Sequence, residues 1–136
     1  MRSFRLNLRV YYEDTDAGGI VYHARYLAFA ERARTEALRE AGVPHYELVT
    51  QFGLIFVVRR VEMDYLRPVR LDAELIVQTG PWALGAATVD VGQTFEVDGH
   101  VTGRLRIGLA CVRMLDGRPA RIPARWRDAL SDEVGQ

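Results

Sequence analysis

The feature that most constrains the fold is one long segment whose hydrophobic period is helical. From residue 24 to 41, ARYLAFAERARTEALREA, apolar side chains recur every three to four residues, as in an amphipathic helix. The stripe is mostly alanine, which lets the helix axis lie close to its neighbours. Gly42 stands at a left-handed C-cap position and Pro44 follows, so the helix is predicted to end near residue 41. At about 18 residues and roughly 27 Å, it is expected to be the central element.

The remainder of the chain is rich in strand signals. Residues 4–12 alternate apolar and polar side chains, which is typical of a half-buried strand. Further strands are predicted over 53–66, 72–82, 87–99 and 100–117, and short helices over 45–52 and 122–134. Because no helix separates the four later strands, an antiparallel meander is their natural pairing. The predicted fold class is α+β, one long helix against one five-stranded antiparallel sheet.

Composition narrows the class of protein. The 136 residues suit one domain, residues 1–136, and 49% of them are hydrophobic, enough for a core. The formal net charge is zero, which argues against bulk nucleic-acid binding although all 18 basic residues are arginine. Cys111 lies in an apolar run and is expected to be buried and inert. We expect a soluble, cytoplasmic protein, because no signal-peptide pattern and no membrane-spanning apolar run occurs.

The stretch from Tyr12 to His23, YEDTDAGGIVYH, joins the first strand to the helix and carries three acids and two glycines. A calcium loop starting at Asp14 would place Arg25 where a bidentate glutamate is needed, which excludes it. A phosphatase-type D-x-D motif would need a larger α/β domain. Two interpretations remain, a plain acidic turn beside a helix dipole or an active site. Glu13 and Asp14 are interpreted as turn and surface charge.

The active-site interpretation depends on where the helix begins. Gly18 and Gly19 allow the backbone to approach a ligand closely. The helix start near Tyr22 and His23 offers unpaired N–H groups that can hold a carbonyl oxygen and stabilise a developing oxyanion. Asp16 lies just upstream, where a carboxylate could attack that carbonyl or activate water. Such a site hydrolyses its substrate with neither metal nor cofactor.

These residues also carry a resemblance. The pattern Y-x-x-T-D-x-x-G-x-x-Y-H, followed by ARYLAFAERARTEALRE and FVVRRVEMDYLRPVRLDAEL, resembles the YbgC branch of the acyl-CoA thioesterases. These are hot-dog-fold proteins similar to 4-hydroxybenzoyl-CoA thioesterase. The likeness covers most of the chain and weakens after about residue 120. It implies a long central helix wrapped by the sheet, and hydrolysis of acyl-CoA to a free acid and CoA.

The resemblance also assigns roles. Asp16 matches the catalytic carboxylate, as a nucleophile or a general base. His23 matches the position whose backbone N–H polarises the thioester carbonyl, and its side chain is also implicated. Tyr12 matches a tyrosine near the site, where it could hydrogen-bond Asp16 or pack in the core. Gly19 matches the glycine that lets the substrate pass, and Tyr22 is expected beside the substrate.

Binding of CoA requires partners for its phosphates. Arg59 and Arg60 are adjacent on a predicted strand, so their side chains should point to opposite faces and only one should meet a given ligand. Arg67 and Arg70 flank Pro68 in a predicted loop. Any of these could bind a phosphate or be a solvated or ion-paired surface residue.

The resemblance further implies a homodimer or homotetramer with sites at the subunit interface. Members of the branch can also interact with acyl carrier protein. No residue of this chain indicates such an interaction. Two other functions stay open on the same fold, a non-catalytic acyl-CoA or acyl-carrier binding module and a dehydratase. Acyl chain length is not predicted by the sequence.

Overall fold

The helical and alternating segments form three α-helices and one five-stranded antiparallel sheet in the computed structural model, which describes residues 3–131. The strands are β1 (Phe4–Arg9), β2 (Leu54–Tyr65), β3 (Glu74–Leu84), β4 (Thr88–Val97) and β5 (His100–Arg113). The helices are α1 (Arg25–Glu40), α2 (His45–Phe52) and α3 (Ala124–Leu130). Each lies within or close to its predicted segment, but residues 132–134 of the last predicted helix fall outside the described part.

The order of strands differs from the predicted meander. The sheet runs β1-β3-β4-β5-β2, so only β3, β4 and β5 follow one another as hairpins. The connection after β2 does not turn straight back into β3 but crosses to the segment before α1, where Val21 N donates to Val69 O at 2.8 Å. β2 therefore occupies the far edge, paired with β5, and β1 takes the place beside β3.

The alanine stripe of α1 is buried as predicted. Ala30, Ala33 and Ala37 are inaccessible to solvent, which lets the helix lie close to β1 and β3. On the same helix, Leu27 is exposed and Phe29 is buried. Within the described residues, no helix is long and apolar enough to cross a membrane.

A β-bulge interrupts β2 in its middle. Val58 lies opposite Leu109 of β5 and Arg60 lies opposite the next residue, Gly108, so Arg59 is an extra residue without a partner. The bulge resets the alternation of side chains along the strand, because the residues after it are shifted by one position.

The consequence is an apolar strip on the α1-facing side of β2. Val61 lies opposite Ile107, which is buried in the core, so Val61 faces the same side as Val58 although three positions separate them. The strip consists of Phe56, Val58, Val61, Met63 and Tyr65. Val58 is 52% exposed and Tyr65 51%, so much of this strip is uncovered in one chain.

Cys111 is fully buried in the core, as predicted. Burial raises the pKa of its thiol, which keeps it protonated and unreactive.

Candidate active site

The stretch between β1 and α1 folds into a small hairpin. Thr15 forms a β-bridge with Val21, and Asp16 N donates to Ile20 O at 2.9 Å. The turn closes with a hydrogen bond of 3.0 Å from Gly19 N to Asp16 O. Gly19 has φ of +77°, a left-handed conformation that explains a glycine at this position.

The carboxylate of Asp16 is exposed on the turn of this hairpin. Its Oδ1 accepts a hydrogen bond of 2.9 Å from Gly18 N. Within residues 3–131 this is the only hydrogen bond to the carboxylate, and no cation is paired with it. One carboxylate oxygen of Asp16 is thus fixed by a hydrogen bond, and the other has no hydrogen-bond partner among those residues.

Asp14 has the opposite environment. It is only 4% exposed, and its Oδ1 accepts a 2.6 Å hydrogen bond from Arg25 Nε at the start of α1. Its Oδ2 accepts from Tyr11 N at 2.8 Å. The interpretation of Asp14 as surface charge is therefore wrong, because this carboxylate ties the hairpin to the helix. Glu13 is exposed, and its Oε2 forms an ion pair with Nη2 of Arg25 at 3.1 Å.

The helix start leaves backbone donors unused. Tyr22 N donates to Asp14 O at 2.9 Å, and Arg25 N donates to Tyr22 O at 2.8 Å. Between them, the N–H groups of His23 and Ala24 donate to no oxygen of the described chain. α1 also has no side-chain cap at this end. The predicted unpaired donors are therefore present, beside the positive end of the helix dipole.

Aromatic side chains surround His23. The His23 ring is exposed and lies 4.5 Å from that of Tyr22, centroid to centroid. Tyr65, at the end of β2, donates its hydroxyl to His23 O at 2.8 Å and packs against Tyr26 at 5.3 Å. Burial, and secondarily Tyr65, raises the pKa of Tyr26. Sequence reasoning missed Tyr65, since nothing in the pattern of β2 indicates that its last residue reaches the helix start.

Tyr12 is placed differently from the sequence expectation. It is 84% exposed, so the alternative in which it packs in the core is wrong. Its carbonyl accepts hydrogen bonds from Thr15, and within the described chain its hydroxyl does not bond to Asp16. Tyr22, at 47% exposed, also presents much of its side chain to solvent.

The two adjacent arginines of β2 line one cavity of about 280 Å³. The prediction that they point to opposite faces is wrong, because the bulge at Arg59 breaks the alternation. Arg60 Nη2 lies 3.7 Å from Asp90 Oδ1, a weak and exposed pair. Both arginines precede Tyr65 by five or six residues, about 16–20 Å along the strand. Within one chain they are remote from the hairpin.

Arg70 lies closer to the candidate site. It forms a β-bridge with Ile20, and the next residue, Leu71, donates its N–H to Gly19 O at 3.2 Å. Arg67 is exposed in the same connection. The hairpin therefore has an arginine beside it that sequence spacing did not distinguish from the others.

The arrangement combines an open carboxylate with unpaired amides at a helix start. Such amides can hold a carbonyl oxygen, and the carboxylate can attack the carbonyl carbon or take a proton from water. Among residues 3–131, no three His, Cys, Asp or Glu side chains are grouped so as to hold a metal ion.

Comparisons with known proteins identify the family of this chain. Residues 10–130 match the family model of the thioesterase-like superfamily. The acyl-CoA thioesterase YbgC of Haemophilus influenzae is 40% identical over 127 residues, 93% of each chain. The acyl-CoA thioester hydrolase YbgC of Escherichia coli O157:H7 is 40% identical over 88% of this chain and 90% of its own. A probable thioesterase from Bartonella henselae superposes with a TM-score of 0.84 at 34% identity, over 89% of this chain and 99% of its own. The chain therefore belongs to the thioesterase-like superfamily of hot-dog proteins.

Proposed function

We propose that this protein hydrolyses acyl-CoA thioesters to a free acid and CoA. The 40% identical relatives from H. influenzae and E. coli are named for this activity, and they match along almost their whole length. The observation that carries the proposal is an open Asp16 carboxylate on the hairpin, followed at the start of α1 by a His23 N–H group that donates to no oxygen of the described chain.

The proposed reaction begins with the thioester carbonyl oxygen at the start of α1. The N–H groups of His23 and Ala24 donate to this oxygen and stabilise the negative charge that develops on it. Asp16 then acts in one of two ways. It attacks the carbonyl carbon, the C–S bond breaks, CoA leaves as thiolate, and water hydrolyses the mixed anhydride. Alternatively, it takes a proton from the attacking water and returns that proton to the departing thiolate.

The acids of the hairpin are not interchangeable in this mechanism. Asp14 is buried and already bonded to Arg25, so attack by its carboxylate would first have to break the anchor of the loop. Within the described part of the chain, Asp16 accepts a single hydrogen bond, from Gly18 N, which orients the carboxylate and leaves its other oxygen available. We therefore assign the chemistry to Asp16 and the positioning of the hairpin to Asp14.

The proposed substrate contacts come from the residues around the hairpin and the start of α1. Gly19 gives the thioester room, and Tyr22 and the His23 ring form an exposed aromatic wall. The exposed Tyr12 side chain can contact the substrate from the solvent side of the hairpin. Arg70 is the candidate for a CoA phosphate within the same chain, because it adjoins the hairpin. Arg59 and Arg60 could serve a site completed by a second copy.

We also propose that the protein is a homo-oligomer assembled through β2, with the sheet curled around α1 as the central helix. β2 is an edge strand of 12 residues, and its α1-facing strip is largely uncovered. Long apolar edge strands pair with other chains unless they are shielded. Pairing of two β2 strands would bring a second copy beside Tyr65 and the helix start. Transfer from acyl carrier protein remains a prediction of the family resemblance alone.

Release of free thiol from a panel of acyl-CoA substrates tests the function. Aliphatic acyl groups of graded length and a benzoyl group cover the substrate class, and a thiol reagent reports the product. Thiol release supports hydrolysis. Binding of acyl-CoA without thiol release would favour the binding module, and hydration of an enoyl-CoA would favour a dehydratase.

A further inference from the structure

Tyr65 supplies a hydrogen bond to the backbone at the start of α1. Its hydroxyl donates to His23 O at 2.8 Å, although 42 residues separate the two along the chain. In a continued α-helix Leu27 N would donate to His23 O, but here it donates to Ala24 O at 3.3 Å. Among residues 3–131, Tyr65 is therefore the only hydrogen-bond donor to this carbonyl. The orientation of the His23 carbonyl thus depends on one side chain of β2.

The His23 carbonyl shares one peptide unit with the N–H group of Ala24. A trans peptide is planar, so its C=O and its N–H point in opposite directions. A hydroxyl that fixes His23 O therefore also fixes the direction of the Ala24 N–H, which donates to no oxygen of the described chain. A hydrogen bond to the carbonyl also polarises the peptide and strengthens its N–H as a donor. The His23 N–H belongs to the preceding peptide, whose carbonyl, Tyr22 O, accepts from Arg25 N.

The Tyr65 side chain is itself fixed, both by its backbone and by its ring. At the end of β2, Tyr65 pairs with Gly103 of β5. The next residue, Leu66, donates its N–H to Thr102 O at 2.9 Å. The Tyr65 ring packs edge-on against that of Tyr26, which is buried, with 5.3 Å between the ring centroids. The hydroxyl therefore holds the start of α1 at a set position relative to the sheet.

We propose that Tyr65 is a positioning residue for thioester hydrolysis, which orients the Ala24 N–H toward the carbonyl oxygen of the substrate. This role rests on the proposed function, in which the N–H groups of His23 and Ala24 stabilise the oxyanion. Tyr65 acts through the peptide between these two residues and takes no part in bond making or breaking. A preoriented donor contributes most in the transition state, where the charge on the oxygen develops. Loss of the hydroxyl should therefore lower kcat more than it changes KM.

Tyr65→Phe removes the hydroxyl and keeps the ring that packs against Tyr26. Thiol-release kinetics of the full chain, with the best acyl-CoA substrate, should give a kcat about tenfold or more below that of wild type, because one of the two oxyanion donors loses its alignment. KM should stay close to the wild-type value, because the carbonyl oxygen of the bound thioester does not yet carry the negative charge. Tyr46→Phe, which changes an exposed tyrosine of α2, is the matched control and should keep the wild-type kcat.

Amide NMR separates the orientation of this peptide from a general loss of structure. In Tyr65→Phe the nitrogen resonance of the Ala24 amide should move upfield, because the carbonyl of the same peptide has lost its donor, while the amide resonances of α2 stay in place. Tyr65→p-aminophenylalanine restores an N–H donor on the same ring. This variant should recover much of the lost kcat and return the Ala24 resonance toward its wild-type position.

The outcomes distinguish the role of Tyr65 from the proposed function. A wild-type protein that releases thiol, together with a folded Tyr65→Phe variant of equal kcat, would overturn the role of Tyr65 and leave the function standing. An unmoved Ala24 resonance, or an amino variant as slow as Tyr65→Phe, would overturn that role as well. Absence of thiol release from wild type would overturn the proposed function and the role of Tyr65 with it.

Discussion

Asp14 and Asp16 are separated by one residue, yet their carboxylates have opposite environments. Asp14 is buried against Arg25 and Tyr11 N, whereas Asp16 has one backbone hydrogen bond and is exposed. A carboxylate whose two oxygens both accept hydrogen bonds stabilises the fold. A carboxylate with one oxygen that accepts none is available for reaction. The division of roles that we propose rests on these contacts and not on the residue type.

Replacement of Asp14 tests its anchoring role. Asp14→Ala leaves Tyr11 N and Arg25 Nε without their acceptor, so the free energy of unfolding should fall by about 1–3 kcal/mol. Glu13→Ala is the matched control, because that exposed pair is worth about 0–1 kcal/mol. Urea unfolding followed by circular dichroism measures both. Equal losses for the two variants would show that Asp14 does not anchor the hairpin.

The two glycines of the hairpin should respond differently to alanine. A Cβ on Gly18 would stand 3.3 Å from Asp16 Oδ1, so Gly18→Ala should displace the carboxylate and lower kcat about tenfold or more, with little loss of stability. A Cβ on Gly19 would meet nothing within 4 Å, but its φ of +77° would cost about 1–2 kcal/mol. Thiol-release kinetics and thermal unfolding on both variants separate the effects. A Gly18→Ala enzyme of normal kcat would contradict the geometry.

Some of these residue-level contacts were beyond prediction from sequence. Asp16 and His23 are proposed as site residues because spacing and family resemblance point to the helix start. The burial of Asp14 depends on Arg25, eleven residues away, and no local pattern predicts that contact. Tyr65 reaches His23 O from 42 residues further along the chain, which only the fold brings about.

At the scale of elements, hydrophobic period predicted the segments but not their arrangement. The alanine stripe predicted α1, and alternation predicted five strands. Alternation records which face of a strand is buried and not which neighbour it pairs with, so the position of β2 beside β5 was missed. The bulge at Arg59 was missed for a related reason, since VVRR fits a regular strand as well as an interrupted one.

Deletion of Arg59 tests the bulge. Without the extra residue, Arg60 follows Val58 directly, so the strand becomes regular while Val58 and Val61 still face α1. The deletion should therefore be tolerated, with the free energy of unfolding changed by less than about 1 kcal/mol. Deletion of Glu62, which has a partner in β5, turns every later side chain of β2 to the opposite face and should cost more than about 2 kcal/mol or prevent folding. Similar unfolding midpoints for the two deletions would mean that Arg59 is not an extra residue of the strand.

At the scale of the whole molecule, one chain leaves its long β2 edge and the adjoining apolar strip uncovered. This edge ends at Tyr65, which bonds the helix start that holds the candidate site. Assembly through β2 would therefore affect the position of the His23 backbone, because Tyr65 bonds to it. The family resemblance implies an oligomer, and the length of β2 and its exposed apolar strip make this edge strand the proposed interface.

Charge placed on the strip should disrupt that assembly. Val61→Glu puts a carboxylate on the α1-facing side of the edge, whereas Glu62→Gln changes a residue of the opposite side. Sedimentation velocity should give an oligomer for wild type and Glu62→Gln, and a shift toward single chains for Val61→Glu. A wild-type protein that sediments as one chain at micromolar concentration would contradict assembly through β2.

The central claim is that the Asp16 carboxylate carries out thioester hydrolysis at the start of α1. The most direct measurement is kcat/KM for thiol release from the best acyl-CoA substrate of the panel, for wild type, Asp16→Asn and Glu13→Gln. Asp16→Asn keeps the shape and the Gly18 hydrogen bond but removes the base or nucleophile, so kcat/KM should fall by about 10²–10⁴-fold. Glu13→Gln, in the same hairpin, should stay within a few-fold of wild type. An Asp16→Asn protein that releases thiol at the wild-type rate would contradict the claim.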